Sequence, residues 1–329
     1  MELGSVTALR LMWDYLKRPR GPRAGVEEIT LRRSPLGHPW LLYVPKHVRG
    51  RPLTLVHGVT ARASEDVNLV HLARCIAGLG HPCITPPLDG LAHFQHTERD
   101  VSTVADAVRR TAQEFGNATG VWGFSYGASY TLSAASRTDC RDACHFIVAF
   151  GAYFELEAAL EHQRRLLVEQ PNPDGDDADI LYLRYTLLAC QRERLALSQQ
   201  AWEDIESTLA EFTLPGPLET KKRALLEHAR ELDYAELMAS YQRRSRDDAL
   251  SPARKLAQIA CPVALLHDPN DRFIPRDQVH LLAAELDERA GLPKTPTLTT
   301  PMLSHVQVNP MRSLLDAWRL IRLLSSLFV

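Results

Sequence analysis

One serine in this chain stands in a Gly-x-Ser-x-Gly setting, Gly123-Phe124-Ser125-Tyr126-Gly127. An apolar, β-prone run ending at Thr119-Gly120-Val121-Trp122 precedes it, and the small residues 128–135 follow with helical character. A strand that turns sharply into a helix leaves no room for side chains two positions before and after the apex, so glycines belong there. The apex serine is then held in a strained backbone with its hydroxyl exposed. A serine hydroxyl attacks a carbonyl only with help: a base to take its proton, an acid to orient the base, and amide donors for the oxyanion. Downstream, the apolar run 262–266 opens into His267-Asp268-Pro269-Asn270-Asp271-Arg272-Phe273-Ile274-Pro275, which offers Asp271 as the acid with Asp268 as its alternative. Glu155 and Glu157, just after the apolar run 145–150, are a further pair of acids. Of the thirteen histidines only His280 and His305 lie beyond Asp271. His280 falls in a helix-forming run, 277–284, whereas His305 follows the strand-like stretch 297–303, so His305 is the candidate base. Each residue also has an inert reading, as a Gly/Ser turn, turn aspartates or an ordinary loop histidine. The order Ser, then Asp, then His is what sets the three together.

These residues need elements to position them. The segments 26–32 and 39–44 read as an opening hairpin, 53–57 as a buried strand, 64–79 as a helix and 82–85 as a short strand. Val101, Val104, Ala105, Val108, Ala112 and Phe115 recur at helical spacing and predict one apolar face. With the strand before Ser125 and the strand at 145–150, the alternation predicts a mostly parallel sheet with helices on both faces. Ligand sites in such sheets lie at the C-terminal ends of the strands, where Ser125, Asp271 and His305 would all collect. The pattern breaks over 152–254, which carries no convincing strand and is rich in Leu, Glu, Arg, Gln and Ala. Pro171-Asn172-Pro173-Asp174-Gly175-Asp176-Asp177 and Pro215-Gly216-Pro217 punctuate it. The reading is a helical insertion, 152–254, in a core formed by 1–151 and 255–329.

With His57-Gly58 after the strand at 53–57, the Gly123 to Gly127 turn, Asp271 four residues before Pro275, and His305 last, the chain resembles the α/β-hydrolase family from about residue 26 onward. The likeness is to serine esterase and thioesterase members with a helical cap between two core strands. It implies hydrolysis of a carboxylic ester or thioester through an acyl-enzyme, with Ser125 as nucleophile, His305 as base and Asp271 as acid. It also implies an oxyanion hole from the N–H groups of Val59 and Tyr126, with Thr60 as a substitute donor, and a structural role for His57. One departure is that Asp268 follows His267 where the family often has glycine. Serine at the turn argues against dehalogenase or epoxide-hydrolase chemistry, which uses Asp there. No cofactor is implied. The insertion supplies Trp202, Phe212, Leu209, Tyr182 and Tyr185 as candidates to line an apolar acyl pocket, with Thr60, Trp202 and Phe212 as the substrate-binding set. An acyltransferase would use the same residues, and a non-catalytic binder of a small apolar ligand is the alternative of another kind; an intact Ser, Asp and His set counts against the latter.

Composition bounds the rest. With 329 residues and 45% hydrophobic content the chain can bury a large core, and a formal net charge of −2 gives no broad bias toward nucleic acid or membrane. The segment 1–23 is the exception. Leu3, Val6, Leu9, Trp13 and Leu16 alternate with Arg10, Lys17, Arg18, Arg20 and Arg23, which reads either as a helix on a membrane surface or as one packed on its own domain. The six cysteines form no disulfide framework, and Cys140 with Cys144 lacks a second pair for a metal, so no metal site is expected. His93 and His96 share a loop with Asp89 that reads as substrate-facing rather than metal-binding. No secretory pattern or bilayer-length apolar run stands out, which points to the cytoplasm, and nothing sets an oligomeric state.

Overall fold

In the computed structural model the chain runs α1 (Leu3–Lys17), β1 (Val26–Arg33), β2 (Pro39–Pro45), β3 (Leu53–Val56), α2 (Val67–Gly78), β4 (Cys83–Thr85), α3 (Asp89–Ala92), α4 (Glu98–Phe115), β5 (Thr119–Phe124), α5 (Tyr126–Ala135) and β6 (Cys144–Phe150). It continues through α6 (Leu156–Glu169), α7 (Ala178–Cys190), α8 (Gln199–Glu211), α9 (Tyr234–Arg244), β7 (Val263–His267), α10 (Asp277–Asp287), β8 (Thr297–Thr299) and α11 (Leu314–Ser325). The structure describes residues 3–17, 21–170, 177–211, 223, 227–244, 248–301, 303–304, 307–308 and 314–325.

β1 to β8 form one eight-stranded sheet in the order β1-β2-β4-β3-β5-β6-β7-β8, and Leu303–Ser304 pairs antiparallel with Gln307–Val308 in a separate two-stranded ribbon. β1 and β2 pair antiparallel, as does β2 with β4, and every later neighbour is parallel. This is the α/β-hydrolase architecture. The register fixes where the chemistry goes: Val56 pairs with Gly123, Phe124 with Phe150, Phe150 with Leu266, and His267 with Thr299. All those strands therefore stop at one edge, and the residues that follow them meet there. One core cluster unites β5, α4 and α5 with the helices of 152–254 and α10, and a second joins α1, α2 and α11 to β3, β5 and β6.

α4 shows why the helices sit as they do. The Thr97 side chain accepts from Asp100 N–H at its start, and Gly116 in the left-handed region (φ 63°) ends it. Its periodic residues Val101, Val104, Ala105 and Val108 are buried as their spacing predicts. β8 is shorter than the expected 297–303, because Thr300 N–H turns to the carbonyl of His267 and Pro301 follows. No strand occurs among the described residues of 152–254.

The glycines of the turn are there for space. A Cβ on Gly123 would stand 2.6 Å from the Cα of Ala128, and one on Gly127 would stand 1.9 Å from the carbonyl oxygen of His57. Both neighbours are backbone and cannot step aside, so strand β5, helix α5 and the loop after β3 close on one another only without those side chains. We expect Gly127→Ala to destabilise the protein by at least about 2 kcal/mol, the upper range of overpacking. Urea unfolding measures it, and an unchanged midpoint would mean that the approach of these two segments is not needed.

Candidate active site

Ser125 stands between β5 and α5 with φ 52° and ψ −129°, in the left-handed region where a non-glycine residue is strained. Its N–H is anchored to the carbonyl of Phe150 at 2.7 Å, so the neighbouring strand holds the strained residue in place. The residue is 5% exposed, and that remnant faces a cleft. Among the described residues its hydroxyl has no hydrogen-bond partner.

The loop after β3 closes against the serine. The Cβ position of Gly58 lies 2.9 Å from both the carbonyl oxygen of Phe124 and the Cβ of Ser125, so Gly58-Val59 passes directly beside the turn. Tyr126 opens α5, and its amide is one of the first-turn N–H groups that have no intrahelical acceptor. Val59 lines the same cleft, and among the described loop and turn bonds its N–H donates to no carbonyl. His57 holds this loop: its Nε2 accepts from Leu88 N–H at 2.9 Å, and its Nδ1 lies 2.6 Å from the carbonyl of Gly58. Burial pushes the His57 pKa down to about 4, so the ring stays neutral in this buried position. Thr60 turns away from the cleft, its hydroxyl 3.3 Å from Asp66 Oδ2.

On the other side of the strand end, Asp271 Oδ1 accepts from Phe273 N–H at 2.8 Å and Ile274 N–H at 3.0 Å. Asp268 closes a tight turn, its Oδ1 accepting from Asn270 N–H at 2.9 Å. Burial chiefly, and the Asp271 charge in addition, hold the Tyr126 phenol above its ordinary pKa, so Asp271 lies within electrostatic reach of the residue after the serine. Glu155 and Glu157 stand at the start of α6, with Glu155 N–H donating to Gln278 Oε1. His305 and Phe212 lie outside the described residues.

The cleft is open to solvent at its mouth, which is included in its roughly 550 Å³ of empty space. The core contributes Val59, Phe94, His96, Ser125, Tyr126 and Phe273 to its walls, and the helices of 152–254 close it with residues of α6, α7 and α9. Three contacts seat those helices. Tyr182 of α7 donates to the carbonyl of Val59 at 3.2 Å, and Tyr241 of α9 donates to that of Phe94 at 3.1 Å. Gln163 of α6 donates to the Tyr126 hydroxyl at 2.6 Å and to the carbonyl of Phe273 at 3.1 Å. Of the aromatic residues expected to line a pocket, Tyr182 does so. Trp202 is buried beneath the Arg192 guanidinium, 5.5 Å from its ring centroid, and Tyr185 and Leu209 are buried in the helical core; none of the three lines the cleft.

His96, on the loop that reads as substrate-facing in the sequence, brings a polar group to the wall of the cleft. Asp100 accepts from Gly90 and Leu91 N–H at 3.1 and 2.8 Å and so pins the loop that carries it. The ring stacks on Tyr126 at 4.7 Å, and its Nδ1 lies 2.9 Å from the Tyr130 hydroxyl. Burial raises the Tyr130 phenol well above its usual pKa and lowers that of His96 to about 3. With its pKa held down by burial, the His96 imidazole is neutral and a poor base. The sequence pointed to a substrate-facing loop here, but not to the ring's stacking on Tyr126 or its bond to Tyr130.

No protein-family model and no curated protein matches the sequence. Solved structures do match over nearly the whole chain. A protein of Legionella pneumophila solved as a candidate hydrolase superposes with a TM-score of 0.56 at 12% identity, over 98% of this chain and 94% of its own. An esterase of Pyrococcus furiosus gives 0.53 at 10% identity, over 92% and 91%. An esterase of Pyrobaculum calidifontis gives 0.51 at 16% identity, over 99% and 92%. The chain thus shares the α/β-hydrolase fold with these structures at 10–16% sequence identity.

Proposed function

We propose that this protein is a serine hydrolase that cleaves carboxylic esters or thioesters of apolar acids. The observation that carries the reading is Ser125, strained at φ 52° between β5 and α5, facing a cleft with the Gly58-Val59 loop against it. In this reading Ser125 Oγ attacks the substrate carbonyl while His305 takes its proton, and Asp271 holds the imidazole and stabilises its cation. The oxyanion rests on the N–H groups of Val59 and Tyr126. The imidazolium returns the proton to the leaving alcohol or thiol, and water attacks the acyl-enzyme by the same route to free the acid and Ser125. Residues 152–254 act as a cap, seated by Tyr182, Gln163 and Tyr241. The six cysteines are all free thiols, which fits a reducing compartment such as the cytoplasm.

The cap residues Leu160, Leu183, Leu187 and Met238 give the cleft a largely apolar wall, so it should select acyl chains by length. Each buried methylene contributes about 0.8 kcal/mol, or roughly fourfold in kcat/KM. With p-nitrophenyl esters of graded length, kcat/KM should climb stepwise and then stop when the cleft is full. Leu187→Trp should move the stop to a shorter chain. A flat profile in both proteins would remove the acyl pocket from this reading, and no turnover of any ester or thioester would remove the reading itself.

A further inference from the structure

α1 and α11 pack side by side over the sheet face that also carries α2. Their inner sides are core: Ala8 and Leu11 from α1, and Ala317, Leu320, Ile321 and Leu324 from α11. Their outer sides are apolar too. Val6, Leu9, Trp13 and Leu16 recur every three or four residues along α1, and Leu315 and Trp318 do so on α11. Trp13 is 63% exposed and Trp318 52%. Six of the ten strongly exposed large apolar side chains among the described residues are thus on these two neighbouring helices, more than scattered exposure provides.

Among the described residues of α1 and α11, the exposed charges have one sign. Arg10 and Lys17 of α1, and Arg319 and Arg322 of α11, are exposed. The acids in the described parts of both helices turn inward. Asp14 is buried and paired with Arg23 at 2.6 Å, and Asp316 is buried, accepting from Thr300 Oγ1 at 2.9 Å and from Arg319 at 3.0 Å. A chain of net charge −2 therefore presents on α1 and α11 an apolar stripe with a cationic border.

Indole rings prefer the boundary between hydrocarbon and water, and Lys and Arg stems reach from an apolar surface to anionic headgroups. Among the described residues no helix is long and apolar enough to cross a membrane, so these two would lie in the plane of the interface. A second copy is a poorer occupant, because a two-fold contact of this face with itself sets its cations against their own copies. We propose that the outer face of α1 and α11 docks the protein on an anionic phospholipid surface. The proposal is independent of the hydrolase reading.

The test uses the full chain and vesicles of phosphatidylcholine, alone or with roughly 30% phosphatidylserine. Cosedimentation should appear with the anionic vesicles, weaken with added salt, and be slight with phosphatidylcholine alone. Bromine-labelled lipid should quench the fluorescence of the wild type. Trp40, Trp122 and Trp202 are buried, so quenching reports Trp13 and Trp318 without any substitution. Trp13→Glu with Trp318→Glu should lower partitioning by about tenfold or more, and Arg10→Glu with Lys17→Glu should remove the preference for phosphatidylserine. Thermal unfolding of each variant, like that of the wild type, would show that the fold is kept. No binding to anionic vesicles, or binding without quenching, overturns the proposal. So does a dimer in light scattering that Trp13→Glu dissolves, which would make a second copy the occupant.

Discussion

Ser125→Ala is expected to lower kcat for a p-nitrophenyl ester by about 10⁴- to 10⁶-fold and to abolish labelling by a fluorophosphonate. The fold should be unaffected. The Ser125 hydroxyl has no hydrogen-bond partner among the described residues, so removing it leaves no buried group unsatisfied. The backbone strain at φ 52° is imposed by the surroundings, through the Phe150 carbonyl and the glycine-flanked turn, and it remains in the variant. Ser125→Gly should relieve that strain and raise the unfolding midpoint while still removing activity. A protein stabilised by losing its serine is what a site that stores strain for function predicts. If Ser125→Ala turns over an ester at near the wild-type rate, Ser125 is not the nucleophile.

What the sequence made legible here follows from what each residue type is forced to do. Gly123 and Gly127 marked the turn because the structure leaves no room for a Cβ at either place. The strands of the parallel sheet were legible because β3, β4 and β7 are buried along their whole length and read as largely apolar runs. The walls of the cleft were harder. Ile180, Leu181, Leu183, Tyr185, Leu187 and Leu188 of α7 are all buried, so periodicity does not say which side meets the cleft and which meets the other helices. Tyr182 and Trp202 looked alike as sequence, yet the first reaches Val59 and the second lies under Arg192. The loop of His96 read as substrate-facing, but the partners of the ring were not legible, because its position depends on Asp100 pinning the loop and on Tyr126 offering a ring to stack on. The mixed residues of α1 left two readings, and the structure sorts them by face, with Ala8 and Leu11 inward and Leu9, Arg10 and Trp13 outward. The contribution of α11 to that surface depends on long-range packing and has no local signature.

Asp271→Asn should lower kcat by about 10³- to 10⁴-fold, the loss expected when the acid no longer fixes the base's tautomer or stabilises its cation. Asp268→Asn should stay within about tenfold of the wild type, as a substitution that leaves the chemistry untouched. Both replacements keep a carbonyl oxygen in place of Oδ1. Phe273 and Ile274 N–H can still donate to residue 271, and Asn270 N–H to residue 268, so neither loop loses its local support. The difference between the two variants then reads charge and tautomer rather than folding. Asp271 is favoured because the likeness to the family places the acid four residues before Pro275. Asp268 and Asp271 each spend an Oδ1 on backbone N–H groups of the loop after β7. A larger loss in Asp268→Asn would move the acid three residues nearer the strand, and equal small losses in both would turn attention to Glu155 and Glu157 at the start of α6.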